Sequence, residues 1–326
     1  MTDRPTVIST FAGCGGSALG YRMAGFRELL AVEWDDNAVE TFRLNFSDVP
    51  VFHGDIADLS VDECLRLAGI GRGELDVFDG SPPCQGFSVA GKRRIDDPRN
   101  SLFKQYVRLL DGLQPRVFVF ENVRGLVSGK MRAVYADIVK TLRGCGYATA
   151  TEIKTASYYG VPQSRERVII LGVREDLGVA PSLPRPQTLP ISAGDALVGI
   201  QNDPGEVRAL IEDAARRPHM NLWDKMEPGQ SGQDITGKNH FSLVKLHPAR
   251  PCPTLTKFEE NLSANGMMHW AEKRKLTVAE AKRLSSFPDS FQFAGSRSDA
   301  MARIGNCVPP LLMKAIADHI KQEILP

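Results

Sequence analysis

Thr6-Val7-Ile8-Ser9-Thr10-Phe11-Ala12-Gly13-Cys14-Gly15-Gly16-Ser17-Ala18-Leu19-Gly20 runs a β-branched segment straight into a glycine-rich turn that opens a helix. Glycines at such a strand-to-helix turn let the backbone bend tightly and approach a ligand with no Cβ in the way. Taken alone, the turn is equally compatible with a nucleotide-type site and with a tight structural corner. The segments around it repeat the pattern. Leu29-Leu30-Ala31-Val32-Glu33, Asp76-Val77-Phe78-Asp79, Arg116-Val117-Phe118-Val119-Phe120-Glu121 and Arg167-Val168-Ile169-Ile170-Leu171-Gly172 read as further strands separated by amphipathic stretches. Alternation of this kind predicts an α/β fold, a parallel sheet covered by helices. Several strands end in an acid, where ligands of open α/β sheets bind.

The second strand ends in Glu33, twenty positions after Gly13, at the spacing where a carboxylate meets the two hydroxyls of a ribose. Trp34 offers a face on which adenine stacks. Val51-Phe52-His53-Gly54-Asp55-Ile56 brings a second acid to a strand end, suited to accept from an exocyclic amine while Ile56 packs on the ring. Each acid taken singly is also what a solvated strand end carries. The loop lacks the Gly-Lys-Ser/Thr ending of a phosphate-binding loop, and no cluster of cations is at hand for a pyrophosphate. An adenosine without phosphates, as in S-adenosylmethionine, therefore fits better than ATP or NAD.

Asp79-Gly80-Ser81-Pro82-Pro83-Cys84-Gln85-Gly86-Phe87-Ser88 is the most specific stretch of the chain. Two prolines stiffen the backbone directly before a cysteine at a strand end, which fixes a thiol in space. The next strand ends in Glu121-Asn122-Val123, and neighbouring strands would bring Glu121 near Cys84. The six cysteines are irregularly spaced, so neither a metal site nor a disulfide framework is expected, and each is by default a small buried hydrophobe unless its neighbours say otherwise.

Over almost its whole length the chain resembles the cytosine-5 DNA methyltransferase family. The resemblance rests on ordered blocks: Phe11 to Gly16, Glu33-Trp34, Gly54-Asp55-Ile56, Pro82 to Ser88, Asn100-Ser101-Leu102, Glu121-Asn122-Val123, Gln163 to Arg167, Arg250 to Thr256 and Gly305 to Pro310. Two positions depart from the pattern. Ser9-Thr10-Phe11 stands where the family usually has Asp-Leu-Phe, and Cys307 stands where Ser is commoner. The first departure removes a carboxylate expected near the methionine amine.

The resemblance implies a Rossmann-like methyltransferase sheet in residues 1–185, completed by 297–326, and a smaller loop-rich target-recognition domain with its hinge in 186–296. Four prolines between Pro181 and Pro190 mark the linker, and turn formers such as those in 227–232 fill the stretch beyond it. Thr277, with Glu280 three residues on, reads as a helix-starting capping box, and Pro309 to Ile320 as a terminal helix.

The resemblance also implies roles. Cys84 is the nucleophile that adds to carbon 6 of cytosine, Glu121 in its protonated form serves ring nitrogen 3, and Arg165 serves the ring carbonyl oxygen. S-adenosylmethionine is the cofactor, with Phe11, Ala12, Gly13, Gly16, Glu33, Trp34, Asp55, Ile56, Pro83, Leu102, Asn306 and Val308 expected around it. Lys92, Arg93 and Arg94, on a loop after Cys84 that closes over a base rotated out of the duplex, and Arg167 are expected at the DNA. Arg167 could equally be an outward salt-bridge partner. Lys238, Asn239, His240, Lys245 and Lys257 are candidate contacts of the recognition domain. The expected partner is double-stranded DNA; the enzyme is either half of a restriction-modification pair, with the cognate endonuclease acting separately, or solitary, and it is expected to be a monomer. A tRNA-methylating branch of the same fold carries a Cys-Phe-Thr tripeptide, whereas Cys252 is followed by Pro253. A catalytically retired DNA-binding module would have no reason to keep Cys84, Glu121 and Arg165 together.

Composition sets bounds on this reading. Forty Lys and Arg against 39 Asp and Glu leave a net charge of +1, so cations must be concentrated on the cleft side if the chain binds DNA. No apolar run approaches the ~20 residues of a membrane span, and Met1-Thr2-Asp3-Arg4-Pro5 lacks the features of a signal peptide, so a cytoplasmic location without membrane contact is expected.

Overall fold

The computed structural model describes residues 4–83, 101–238, 242–257 and 265–325. Two compact units divide the chain: Met1–Thr155 with Glu166–Arg185 and Leu312–Pro326 form one, and Ala156–Arg165 with Pro186–Leu311 form the other. One of the divisions falls at 185/186. Residues 156–165 and 297–311, assigned from sequence to the catalytic part, group with the second unit instead.

The first unit is built from β1 (Thr6–Thr10), α1 (Gly16–Met23), β2 (Arg27–Glu33), α2 (Asp36–Asn45), β3 (Val51–His53), α3 (Val61–Ala68), β4 (Val77–Gly80), α4 (Ser101–Leu113), β5 (Val117–Val123), α5 (Arg132–Gly144), β6 (Tyr147–Thr155) and β7 (Glu166–Arg174). Among the described residues its sheet has seven strands in the order β3-β2-β1-β4-β5-β7-β6. The first five pair in parallel, whereas β7 runs antiparallel to both β5 and β6. The sheet is thus mixed rather than wholly parallel, because β6 and β7 follow one another as a long hairpin instead of through a crossover helix. Strand order reverses between β1 and β4, the topological switch point beyond whose carboxyl ends a crevice opens.

One sheet face buries Ile8, Leu30, Phe78, Phe118, Phe120 and Ile170 against the apolar stripes of α3, α4 and α5, such as Phe103, Tyr106, Leu109, Leu110 and Leu113 of α4. That helical spacing is what pins α4 to the sheet, at ~1.5–3 kcal/mol for each large side chain fully buried. Gly80 closes β4 because a Cβ there would stand 2.4 Å from Thr10 Oγ1 and 2.7 Å from the Tyr106 ring. The strand end that leads to Pro82-Pro83 is therefore packed too tightly for any side chain.

The second unit contains α6 (Ala193–Ala196), α7 (Pro204–Arg216), α8 (Gly232–Thr236), β8 (Ser242–Lys245), β9 (Asn265–Met268), α9 (Val278–Leu284), α10 (Arg297–Asn306) and the start of α11 (Pro310–His319). Leu197, Leu246, Cys252, Leu255, Leu276, Ala281, Leu284, Met301 and Ile304 share its core. The expected capping box is present: Thr277 Oγ1 accepts from Glu280 N at 3.0 Å, and Glu280 Oε2 accepts from Thr277 N at 2.9 Å. Glu280 is also gripped bidentately by Arg274, Nη1 at 2.8 Å and Nη2 at 2.7 Å. Burial alone would raise the Glu280 carboxyl, and the Arg274 bonds instead bring it below its ordinary range.

Residues 156–165 join this unit through main-chain pairing: Cys252 N donates to Pro162 O at 2.9 Å and Ser164 N donates to Cys252 O at 2.8 Å. Gln163, 1% exposed, donates to Ser285 Oγ at 3.1 Å and accepts from Leu255 N at 3.3 Å. The loop following β6 therefore belongs to the second unit by hydrogen bonding, although strands of the first unit flank it in sequence.

Candidate active site

Two neighbouring strand ends, of β1 and β2, make the first half of the site. Ala12 N bonds to Val32 O at 3.1 Å, and Gly13 N donates to Glu33 Oε2 at 2.7 Å. Glu33 Oε1 accepts from Trp34 N and Asp35 N, both at 2.9 Å. Three backbone amides therefore hold one carboxylate that is 8% exposed. A carboxylate has about four acceptor positions, so Oε2 retains one toward a ligand hydroxyl. Asp35 then caps α2, accepting from Ala38 N at 2.9 Å, which fixes the turn on which Trp34 stands out at 75% exposure.

Phe11 adopts φ 55°, a left-handed conformation that costs an aromatic residue ~1–3 kcal/mol and that functional turns tolerate. Gly15 has φ 92°, and a Cβ there would lie 2.5 Å from the Phe46 ring, so the turn also needs glycine at that point. Phe11, Val32, Glu33, Trp34, Gly54, Asp55, Ile56, Pro83 and Leu102 line an open pocket of about 490 Å³. Seven of these are residues expected at the cofactor. Ala12, Gly13 and Gly16 shape the loop instead, and Asn306 and Val308 lie in the second unit.

The lining suits S-adenosylmethionine. It carries two carboxylates and, among the described residues, no cation for a phosphate, and it offers an exposed indole face and apolar walls from Ile56, Pro83 and Leu102. Asp55 is exposed, with Oδ1 accepting from Ala57 N at 2.8 Å. No group of three or more His, Cys, Asp or Glu among the described residues is placed to hold a metal ion.

The ends of β4 and β5 form the second half. Glu121 is 7% exposed, and its Oε1 lies 2.7 Å from Arg167 Nε on β7. Arg167, expected at the DNA, thus faces inward onto Glu121 in this structure, and its Nη1 donates to Glu166 O at 2.7 Å. Asn122 donates to Pro82 O at 3.1 Å and accepts from Val123 N at 2.9 Å, tying the end of β5 to the proline turn. Sequence reasoning gives Asn122 no role, although its place beside Glu121 in a shared block is the available signal.

Asp79, 3% exposed, accepts from Tyr21 Oη at 3.3 Å. Burial, reinforced by the charge of Glu121, pushes its carboxyl up to about 8, against the opposing pull of the Tyr21 and Ser17 hydroxyls. Cys84, Lys92, Arg93 and Arg94 lie outside the described residues, as do Asn239 and His240.

Arg165 is 2% exposed in the second unit, donating from Nη1 to Leu255 O at 2.9 Å and from Nη2 to Gly305 O at 3.0 Å. Gly305 must be glycine, since a Cβ would reach within 2.2 Å of the Thr256 main chain. Lys245, a candidate DNA contact, is instead buried: its Nζ lies 3.6 Å from the Trp223 ring centroid and donates to Met226 O at 2.9 Å. Its charge is spent on a cation–π contact and on carbonyls inside the second unit. Among the described residues, no helix is long and apolar enough to cross a membrane.

Comparison with known proteins bears on this arrangement. The family described as C-5 cytosine-specific DNA methylase matches residues 5–322. The type II methyltransferase M1.HphI of Haemophilus parahaemolyticus is 35% identical over 330 residues, covering 97% of this chain and 86% of that protein. M.XorII of Xanthomonas oryzae pv. oryzae is 32% identical over 364 residues, covering 98% and 85% respectively. A crystal structure of a prophage-encoded Escherichia coli protein, described as a DNA modification methyltransferase, superposes with a TM-score of 0.79 at 26% identity, over 99% of this chain and 100% of that one. DNMT2 of Spodoptera frugiperda shares the fold, with a TM-score of 0.70 at 19% identity over 97% and 98% of the two chains.

Proposed function

The chain belongs to the C-5 cytosine-specific DNA methylase family and is a DNA cytosine-5 methyltransferase that uses S-adenosylmethionine; on that premise we propose that it acts on a specific double-stranded sequence through a covalent bond between Cys84 and a cytosine rotated out of the duplex. The observation that carries the reading is the tie between Asn122 and Pro82, which locks the strand end bearing Glu121 to the turn that leads into Cys84.

S-adenosylmethionine, when bound, supplies the electrophilic methyl group. Phe11, Glu33, Trp34, Asp55, Ile56, Pro83 and Leu102, which line the pocket, would hold it, with Glu33 serving the ribose and Trp34 and Ile56 the purine. Carbon 5 of cytosine is a weak nucleophile, and addition of the Cys84 thiolate to carbon 6 turns the ring into an enamine whose carbon 5 takes the methyl group; loss of the carbon 5 proton to a base then breaks the bond to Cys84 and restores the aromatic ring. Glu121 donates a proton to ring nitrogen 3 and accepts from the exocyclic amine, neutralising the charge that the addition creates. Arg167 fixes the orientation of that carboxyl. Arg165 serves the ring carbonyl oxygen with a guanidinium that the carbonyls of Leu255 and Gly305 hold in orientation. Rotating the base out costs a few kcal/mol, which phosphate contacts by Lys92, Arg93 and Arg94 help offset. The family resemblance assigns Asn306 and Val308 to the cofactor as well.

M1.HphI and M.XorII are type II methyltransferases, which supports a partnership with a separate restriction endonuclease; the methyltransferase itself works as a cytoplasmic monomer. Incubation with tritiated S-adenosylmethionine and unmethylated DNA should place label on cytosine carbon 5, and bisulfite sequencing should find it in one sequence context. Label entering tRNA instead of DNA would overturn the proposal.

A further inference from the structure

The sheet face that carries Glu121 also carries a second buried acid. Asp79 lies opposite Val119 on the neighbouring strand, and Glu121 follows two residues on, so alternation puts both side chains on one face. The two acids are unequally served. Glu121 has the Arg167 guanidinium at 2.7 Å, whereas Asp79 among the described residues meets hydroxyls and further acids. From α1 it faces Tyr21 and Ser17, from β1 Ser9 and Thr10, from β2 Glu28, from α4 Tyr106 and from β5 Glu121. Arg22 of α1 is engaged elsewhere, with Asp48 at 2.7 Å. Ser9, directly opposite Asp79 in register, stands where the family pattern has the carboxylate this chain lacks. Glu28 is the third buried acid here, and burial raises its carboxyl so that it keeps its own proton; for Asp79 and Glu121 the one guanidinium of Arg167 then leaves room for one proton between them.

We infer that Asp79 and Glu121 form a proton-sharing pair, in which Asp79 stores inside the site the proton that Glu121 needs when cytosine seats against it. This inference rests on the reading of Glu121 as the donor to ring nitrogen 3. The proton count balances: the Asp79 O–H bond breaks, an O–H bond forms on Glu121, and no proton is drawn from solvent. The negative charge moves from Glu121 to Asp79, where the hydroxyls of Tyr21 and Ser17 receive it. Burial and the charge of Glu121 keep the Asp79 proton in place up to about pH 8. Asp79 is thereby a positioning residue for the proton and does not itself touch the base.

The test compares wild type, Asp79→Asn, Tyr21→Phe and Glu121→Gln. Infrared spectra of the wild-type protein at pH 7 should show, beside any band from Glu28, a protonated-carboxyl component that bleaches around pH 8 and is missing from Asp79→Asn. In Tyr21→Phe the bleaching should move to higher pH, because a donor to the ionised form is gone. Single-turnover methyl transfer to unmethylated DNA should be similar for wild type and Asp79→Asn at pH 6, within about threefold. As the pH is raised the variant should lose rate at least one unit before wild type does.

A merely structural role for Asp79 would lower the rate equally at every pH, and parallel profiles would overturn the inference. Absence of that infrared component from wild type at pH 7 would overturn it too, without reference to activity or to the folding of any variant. Failure of the underlying reading looks different: wild type would not label cytosine, or Glu121→Gln would remain fully active, while the infrared result still decided where the proton resides.

Discussion

Glu33 and Glu121 are both acids at the carboxyl ends of buried strands, yet the protein holds them by different means. Glu33 rests on three backbone amides, from Gly13, Trp34 and Asp35, none of which can titrate or swing away. Glu121 rests on the side chain of Arg167, with the buried carboxyl of Asp79 on the same sheet face. The difference matches two tasks. Fixed dipoles suit the role proposed for Glu33, accepting from a ribose, and a guanidinium with a second carboxyl nearby suits the role proposed for Glu121, passing a proton to the base.

The hardest way to break this contrast is to remove the nucleophile. Cys84→Ser should lower methyl transfer on the order of 10³-fold or more while the dissociation constant for S-adenosylmethionine, measured by calorimetry, stays unchanged. A matching loss of cofactor affinity would mean that the two halves of the site are not separable. Glu33→Ala should do the reverse, weakening S-adenosylmethionine binding about 10–100-fold, as expected for loss of charge-assisted hydrogen bonds, with kcat much less affected.

Asn122→Ala should lower kcat about tenfold, since a lost buried hydrogen bond of ~1–3 kcal/mol releases the proline turn, and KM for the cofactor should change little. The mildest change is Trp34→Ala. At 75% exposure the indole contributes nothing to the core, so urea midpoints should be unaltered, and the lost stacking of ~0.5–1.5 kcal/mol should raise KM for the cofactor about 3–10-fold.

The Asp79 carboxyl adds a pH dependence to stability. The folded protein keeps the Asp79 proton up to about pH 8, whereas the unfolded chain releases it near the ordinary 3.8. Between those values the unfolded state binds fewer protons, so this group makes the fold progressively less stable as pH rises through the window. Asp79→Asn should flatten that decline in denaturant titrations.

Much of this site was legible in the residues themselves. The turn Phe11 to Gly16, the strand-end acids Glu33 and Asp55, and Pro83 and Leu102 carry local signals or family blocks, and the pocket gathers them. What was not legible depended on distant pairing. β6 escaped because Tyr147-Ala148-Thr149-Ala150-Thr151 is an edge strand of small residues with little apolar alternation, and it is β7, not propensity, that holds it extended. Arg167 read as a surface cation because nothing in its neighbourhood along the chain says that Glu121 lies two strand positions from its register partner, Val123. Lys245 read as a DNA contact because its burial under Trp223 is a tertiary event.

The amino-acid sequence by itself determined the alternation of strands and helices, the glycine turn and the cofactor class, and it nominated the reacting groups, since each depends on residue types and spacings over a few positions. Only the tertiary structure decided the antiparallel placement of β7, the allegiance of residues 156–165 and 297–311 to the second unit, and the partners of Glu121 and Asp79. The physical reason is that these are set by which strands hydrogen-bond across the sheet and which buried charges share a face, and neither is written in any local stretch of chain.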